Sequence, residues 1–163
     1  MLLVFSIGGI YIFILIIRSL KCKLKETLKK SLRKSCQNGD FEDVRRRLAE
    51  GENVNAKEGD ETTPLHYAST NKIAELLIKN GAYLNAESKC GTPLHSAIYW
   101  DRKEIAELLI DNGADVNAKY DDGDTHLDRA IENERTEIAD LLRKHGGKTR
   151  NELNAEELKA AGN

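Results

Sequence analysis

The feature that most constrains this chain is that it copies itself. Thr63-Pro64-Leu65-His66-Tyr67-Ala68 recurs as Thr92-Pro93-Leu94-His95-Ser96-Ala97, and in worn form as Thr125-His126-Leu127-Asp128-Arg129-Ala130. Behind each box comes an amphipathic stretch: Ile73-Ala74-Glu75-Leu76-Leu77-Ile78, Ile105-Ala106-Glu107-Leu108-Leu109-Ile110 and Ile138-Ala139-Asp140-Leu141-Leu142-Arg143. Glycine closes each stretch, in Asn80-Gly81-Ala82, Asn112-Gly113-Ala114 and His145-Gly146-Gly147. A unit this small cannot hide its apolar face alone, so neighbours must stack on it. The expected result is a quasi-linear array of contacts between successive units.

Each element of the copy has a physical cause. Proline at the first helical position removes an N–H that has no intrahelical partner anyway, so Pro64 and Pro93 read as helix starts. Thr63, Thr92 and Thr125 stand where an N-cap accepts the free amides that follow. Leu65 with Ala68, and Leu94 with Ala97, form an apolar side at i, i+3, where the small alanines allow close approach. The leucine pairs supply the bulk that stacking buries. Gly81 and Gly113 fit the left-handed position just past a helix C-terminus.

Taken together these boxes resemble the ankyrin repeat, with its period of about 33 residues and T-P-L-H-x-A signature; here Thr92 to Thr125 is 33 residues. An atypical first unit carries Leu32, Ser35, Gly39-Asp40-Phe41, Val44, Leu48 and Gly51 at equivalent steps without the box. Four units are expected near residues 28–58, 59–88, 89–121 and 122–148, an ankyrin domain over 28–148. The resemblance implies an all-α solenoid of helix-turn-helix units joined by short hairpin fingers, which Leu84-Asn85-Ala86 and Val116-Asn117-Ala118 enter. It also implies a structural role for His66 and His95, each bonding backbone in the adjoining loop. In the worn copy, where Asp128 replaces histidine and His126 replaces proline, that bonding is open.

The second unit is short. Thr63 to Ile73 is 10 residues, against 13 for Thr92 to Ile105 and Thr125 to Ile138. The following finger is shorter too, with Asn85 to Thr92 spanning 7 residues and Asn117 to Thr125 spanning 8. Losing about a turn of helix predicts a notch beside Thr70 and Asn71 that disturbs the stacking locally without breaking it.

Residues 1–17 carry no charged side chain, and the apolar run extends through residue 20 past Arg18. As a helix, at about 1.5 Å per residue, 17 residues span roughly 25 Å, the short edge of a bilayer crossing. Residues 1–34 hold eight basic side chains against Glu26, and all of that charge follows the apolar run. Basic flanks stay in the cytoplasm, so residues 1–20 are expected to be a single-pass anchor with the repeats on the cytoplasmic side. Residues 21–34 form a basic juxtamembrane stretch, a topology signal that is also suited to anionic headgroups. The rivals are a cleaved secretion signal, which calls for basic residues before its apolar core, and a mispredicted start or purely buried segment; the protein would then be cytoplasmic or secreted.

Composition narrows the function. The chain has 163 residues and a net charge of −2; since residues 1–34 are net +7, the remainder is −9. That acidic body is not built for nucleic acid. Cys22, Cys36 and Cys90 are scattered, which argues against a disulfide framework and a zinc site and suits a reducing compartment. Gly147-Lys148-Thr149 imitates the end of a phosphate loop, but Leu142 stands where its first glycine is required. The segment reads instead as a helix stop followed by a Thr149/Glu152 capping box opening a tail helix over 149–163. No catalytic motif is present, so no enzyme, cofactor, metal or small-molecule substrate is expected.

A protein partner is expected instead. Tyr99 and Trp100 end the third unit's first helix, where members of the family commonly present variable residues; exposed aromatics favour binding hot spots. The alternative is that one or both rings fold into the notch. Thr70, Glu132 and Asn133 share that face, while Lys89, Tyr120, Asp121 and Asp122 belong to finger tips, as do Glu58, Asp60, Glu61, Ser88 and Asp124. The acidic tips suit a basic partner. The expected function is a non-catalytic scaffold or adaptor at the membrane. The alternatives are a soluble or exported effector that inhibits another enzyme, and a structural subunit of a membrane assembly.

Overall fold

The computed structural model describes residues 31–161. The expected anchor over 1–20, the basic stretch as far as residue 30 and the start of the first unit at residue 28 lie outside the described residues. Among the described residues the chain is helical, with no strand beyond three isolated bridges, Glu58–Thr62, Ser88–Gly91 and Lys119–Thr125. None of the described helices is long and apolar enough to cross a membrane.

Helices come in pairs. Helix α1 (Leu32–Asn38) pairs with α2 (Phe41–Ala49), and a 3₁₀ turn (Pro64–Tyr67) with α3 (Asn71–Lys79). Helix α4 (Pro93–Tyr99) pairs with α5 (Lys103–Asp111), α6 (His126–Glu132) with α7 (Thr136–Lys144), and α8 (Arg150–Ala161) follows. First helices pack on first helices and second helices on second, which makes two layers. Leu65, Leu94 and Leu127 fill one layer, and Ile73, Ile105, Ile138 with Leu77, Leu109 and Leu142 fill the other, all buried. Each such side chain contributes about 1.5–3 kcal/mol by leaving water. Leu76 and Leu108 are only half-buried, while Leu141 is buried. Gly81 and Gly113 hold φ of 84° and 97° just past α3 and α5, the left-handed turn expected of them.

The first pair keeps the path of the others with different chemistry. Counting back four residues from the closing glycine gives Leu77, Leu109 and Leu142 in three pairs but Arg47 in the first. Counting back eight gives Ile73, Ile105 and Ile138, but Asp43. Arg47 donates from Nε to Asp43 (2.8 Å) and from Nη1 to Glu52 (3.1 Å), and Ser35 also donates to Asp43. Burial by itself would raise the Asp43 carboxyl, but hydrogen bonds from Arg47, Ser35 and Arg46 hold it well below the usual carboxylate range. A paired network of this kind satisfies buried charges where the other pairs bury aliphatic side chains. Beside it, burial pushes the Cys36 thiol up to about 12.

Shortening the second unit shrinks its first helix to one 3₁₀ turn and leaves α3 at nine residues, the length of α5 and α7. Thr70 starts α3 almost at once, its Oγ1 accepting the Ile73 amide at 3.4 Å. The gap is crossed by the next unit: Arg102 Nη1 donates to Ala68 O at 2.7 Å, and its guanidinium lies 5.8 Å from the Trp100 ring centroid. Arg135, at the same step one unit later, donates to Tyr99 O at 2.8 Å. Stacking therefore runs on through the short unit.

Candidate functional site: the aromatic clefts

The first helices and the fingers line one face of the array, and its aromatic residues converge there. Trp100 caps the C-terminus of α4. Tyr99 and Trp100 pack edge to face with centroids 5.0 Å apart, yet remain 69% and 59% exposed. Neither ring has folded into the notch, which leaves them as a ridge in solvent. On one side of the ridge is a cleft of about 410 Å³, lined by Thr62, His66, Tyr67, Cys90, Ser96 and Tyr120 with the two ridge residues. On the other lies one of about 680 Å³, completed by Ile98, Tyr120, Arg129, Glu132, Asn133 and Arg135. A smaller recess of about 250 Å³ between the second and third fingers includes Lys89, Asp121 and Asp122.

Eight of the nine positions proposed from sequence for partner contact thus line these openings. Thr70 does not, being committed to the α3 cap. Two others are less free than a finger tip suggests. Tyr120 turns its ring inward, 4.0 Å from the His95 ring centroid, and burial pushes its phenol up to about 12. Asp122 is held by Arg129, which also pairs with Asp124 and Glu132. Among the described residues, no group of three or more His, Cys, Asp or Glu side chains is placed to hold a metal ion.

A family model for ankyrin repeats, in three copies, matches residues 32–120, more than half of the chain. The chain belongs to the ankyrin repeat family. Repeats of this family generally mediate protein–protein interaction and are typically non-catalytic. The comparison with curated proteins found no match. The α6/α7 pair lies beyond the matched stretch and stacks on the third repeat in the same two layers.

The two ankyrin TPLH boxes open their helices alike. Thr63 donates its amide to His66 Nδ1 (3.0 Å), and Thr92 to His95 Nδ1 (2.9 Å), closing a reciprocal cap. His66 Nε2 then reaches Gly91 O, at 3.0 Å, in the next finger. His95 has no such carbonyl, and its buried Nε2 has no hydrogen-bond partner. Its neighbours are the Tyr120 ring and a second imidazole, His126, whose Nε2 lies 3.1 Å from His95 Nδ1 while its Nδ1 lies 3.1 Å from Val116 O. A neutral imidazole has one N–H, so His126 cannot donate to both. Desolvation nevertheless holds both rings neutral: His95 is lowered to about 3 by burial and then by the neighbouring histidines, and His126 to about 4 by burial.

The worn box is rebuilt by substitution. Asp128 Oδ2 accepts the Thr125 amide (2.9 Å) in place of a histidine ring, and also the Arg150 amide (2.8 Å) that begins α8. Thr149 and Glu152 form the expected capping box, with Thr149 N donating to Glu152 at 2.7 Å. Beyond that joint α8 buries no residue.

Finger asparagines are the contacts that sequence reasoning passed over. Asn55 Nδ2 donates to Gly81 O and its Oδ1 accepts Tyr83 N; Asn117 bridges Gly146 O and Lys148 N likewise, and Asn85 Oδ1 accepts Asp115 N. Each asparagine thus ties its finger to the helix-ending turn of the following repeat. The signal was the recurring Asn-Ala after a β-branched or leucine residue, in Val54-Asn55-Ala56 and its copies.

Proposed function

We propose that this ankyrin protein is a non-catalytic scaffold that holds a protein partner on its concave face while its N-terminus tethers it to a membrane. The observation that carries the binding half is the exposed Tyr99–Trp100 ridge with a cleft on each side. Large rigid aromatics left in water cost solubility, and they serve as anchors when a partner covers them. Conserving the stack while varying the groove is how solenoids diversify their partners. Four helix pairs give a modest surface, so affinity rests on a few anchors rather than on area.

The tether half rests on sequence. Residues 1–17 are uncharged and apolar, and the basic side chains of residues 18–34 follow them. That order supports a reading in which residues 1–20 cross the bilayer and the repeats face the cytoplasm.

Proximity labelling from the full-length protein in its source cell tests the binding half, with Tyr99→Ala/Trp100→Ala as the comparison. The expected result is a labelled set that the double variant loses; an unchanged set removes the concave face as the binding site. Alkaline carbonate extraction tests the tether: the protein is expected in the membrane pellet, and recovery in the supernatant removes the anchor.

A further inference from the structure

The finger segments beside these openings carry an uneven set of charges, while Lys89, Lys119, Arg129 and Arg135 are the cations lining the openings themselves. The three fingers, residues 57–61, 87–89 and 119–124, carry seven carboxylates against three lysines. They do so on a body that is net −9 from residue 35 onward. Most cations close to the ridge are already engaged. Arg129 is matched by Asp122, Asp124 and Glu132, and Arg33 by Glu58. Lys57 pairs with Glu61 at 3.0 Å, and Lys89 stands 3.7 Å from Asp60. Asp60 and Glu61 stay 65% and 64% exposed, and Asp121 is exposed as well. The cleft of about 410 Å³ between these tips is walled by Tyr67, Tyr99, Trp100 and Tyr120, room for one or two large side chains.

We infer that the concave face takes an extended cationic segment of a partner protein, with an apolar or aromatic side chain seated in the cleft beside Trp100 and lysine or arginine side chains laid along the finger-tip carboxylates. The inference rests on the binding half of the function proposed above and adds the chemistry of the occupant. Three observations converge on it. An apolar cleft with an exposed aromatic lip takes an apolar anchor. Asp60 and Glu61 shortly precede the cleft residue Thr62 in the first finger, and Asp121 follows the cleft residue Tyr120 in the third, so positive charge is drawn to either end of an extended chain. The acidic body speeds the encounter with a cationic segment and slows that with an anionic one. Arg33, Arg102 and Arg129 already lie over the Tyr67, Trp100 and Tyr120 rings, so the segment's cations belong at the tips and its apolar group in the cleft.

Trp100 is the chain's only tryptophan and reports on its own surroundings. The full-length protein in a neutral detergent is titrated with two 12-residue peptides of identical leucine and phenylalanine content, one completed with lysine and the other with glutamate. The lysine peptide is expected to move Trp100 emission to shorter wavelength and saturate, with affinity falling at least about tenfold between roughly 50 and 300 mM salt. Asp60→Asn/Glu61→Gln/Asp121→Asn, all on the surface, is expected to weaken it about tenfold with an unchanged melting temperature. The inference is overturned if the glutamate peptide binds as tightly, if the triple variant keeps full affinity, or if neither peptide shifts the emission. A saturable shift with the glutamate peptide alone overturns the cationic occupant while leaving concave-face binding intact. Labelling that ignores the Tyr99→Ala/Trp100→Ala variant is the separate result that removes the latter.

Discussion

His66 and His95 sit in the same four-letter box, make the same bond to the threonine before them, and then part company. His66 ends on a backbone carbonyl; His95 ends against a tyrosine ring and another histidine. The box itself does not decide this. The finger that follows does: it spans 7 residues after the first box and 8 after the second, and the longer one brings in Tyr120 where a carbonyl would stand. A recurring motif therefore fixes only the half of its bonding that lies within its own turn. The half that crosses to the next repeat is set by the neighbour.

Acid should act hardest where the difference lies. His95 and His126 are lowered in the folded chain from an ordinary value of 6.5 to about 3 and about 4. Their stabilisation is full above about pH 6.5 and is lost as pH falls toward those values, because the unfolded chain binds the extra protons. Each contributes a slope of up to about 1.4 kcal/mol per pH unit, several kcal/mol together by pH 4. Urea midpoints across pH 7 to 4 check this, and His126→Gln should flatten the curve; an equally steep curve in that variant would move the acid sensitivity elsewhere.

Next in size is Gly91, which makes both arrangements possible. Its carbonyl serves His66, and its missing Cβ makes room for His95, whose Cγ would stand 2.6 Å from an added methyl at a φ of 83°. Gly91→Ala should cost about 3 kcal/mol from strain and displacement combined. Gly81→Ala, at φ 84° but with nothing within 4 Å, should cost only about 1 kcal/mol. Thermal unfolding separates the two, and equal losses would show that conformation alone is at work.

The histidines themselves should be unequal. His66→Leu strands the Thr63 amide and removes the one donor that reaches the Gly91 carbonyl from the preceding repeat, Ser88 keeping its own two bonds to that oxygen; it is expected to cost about 2 kcal/mol, against about 1 for His95→Leu, which strands the Thr92 amide. The smallest effect belongs to the ridge. Trp100→Ala should change stability by less than about 0.5 kcal/mol, since the ring is mostly in water; a drop of several degrees in melting temperature would make it a packing residue instead.

Much of this was readable in advance. The repeated Leu and Ile steps, the glycines past each second helix and the threonine caps follow from local periodicity and propensity, and each stands where they put it. The tail's capping box did so for the same reason. What resisted reading depends on partners distant in sequence. Nothing local marks Arg47 as occupying a leucine's place, because its acceptability rests on Asp43 and Glu52 closing around it. Equally, nothing local shows that Asp128 can stand in for a histidine ring, or that His126 turns toward His95. The exposure of Trp100 turned on whether the notch had another tenant, and Arg102 proved to be it.

That tenancy has a wider consequence. An arginine reaching back from one repeat to supply a donor for the last carbonyl of its predecessor works at two helix lengths, bonding Ala68 after a single 3₁₀ turn and Tyr99 after a full helix. A long flexible arm with several N–H groups acts as an adjustable strut. Deletions inside a repeat can then accumulate without unseating the units beyond them, leaving the groove free to change width while the spine behind it keeps its pitch.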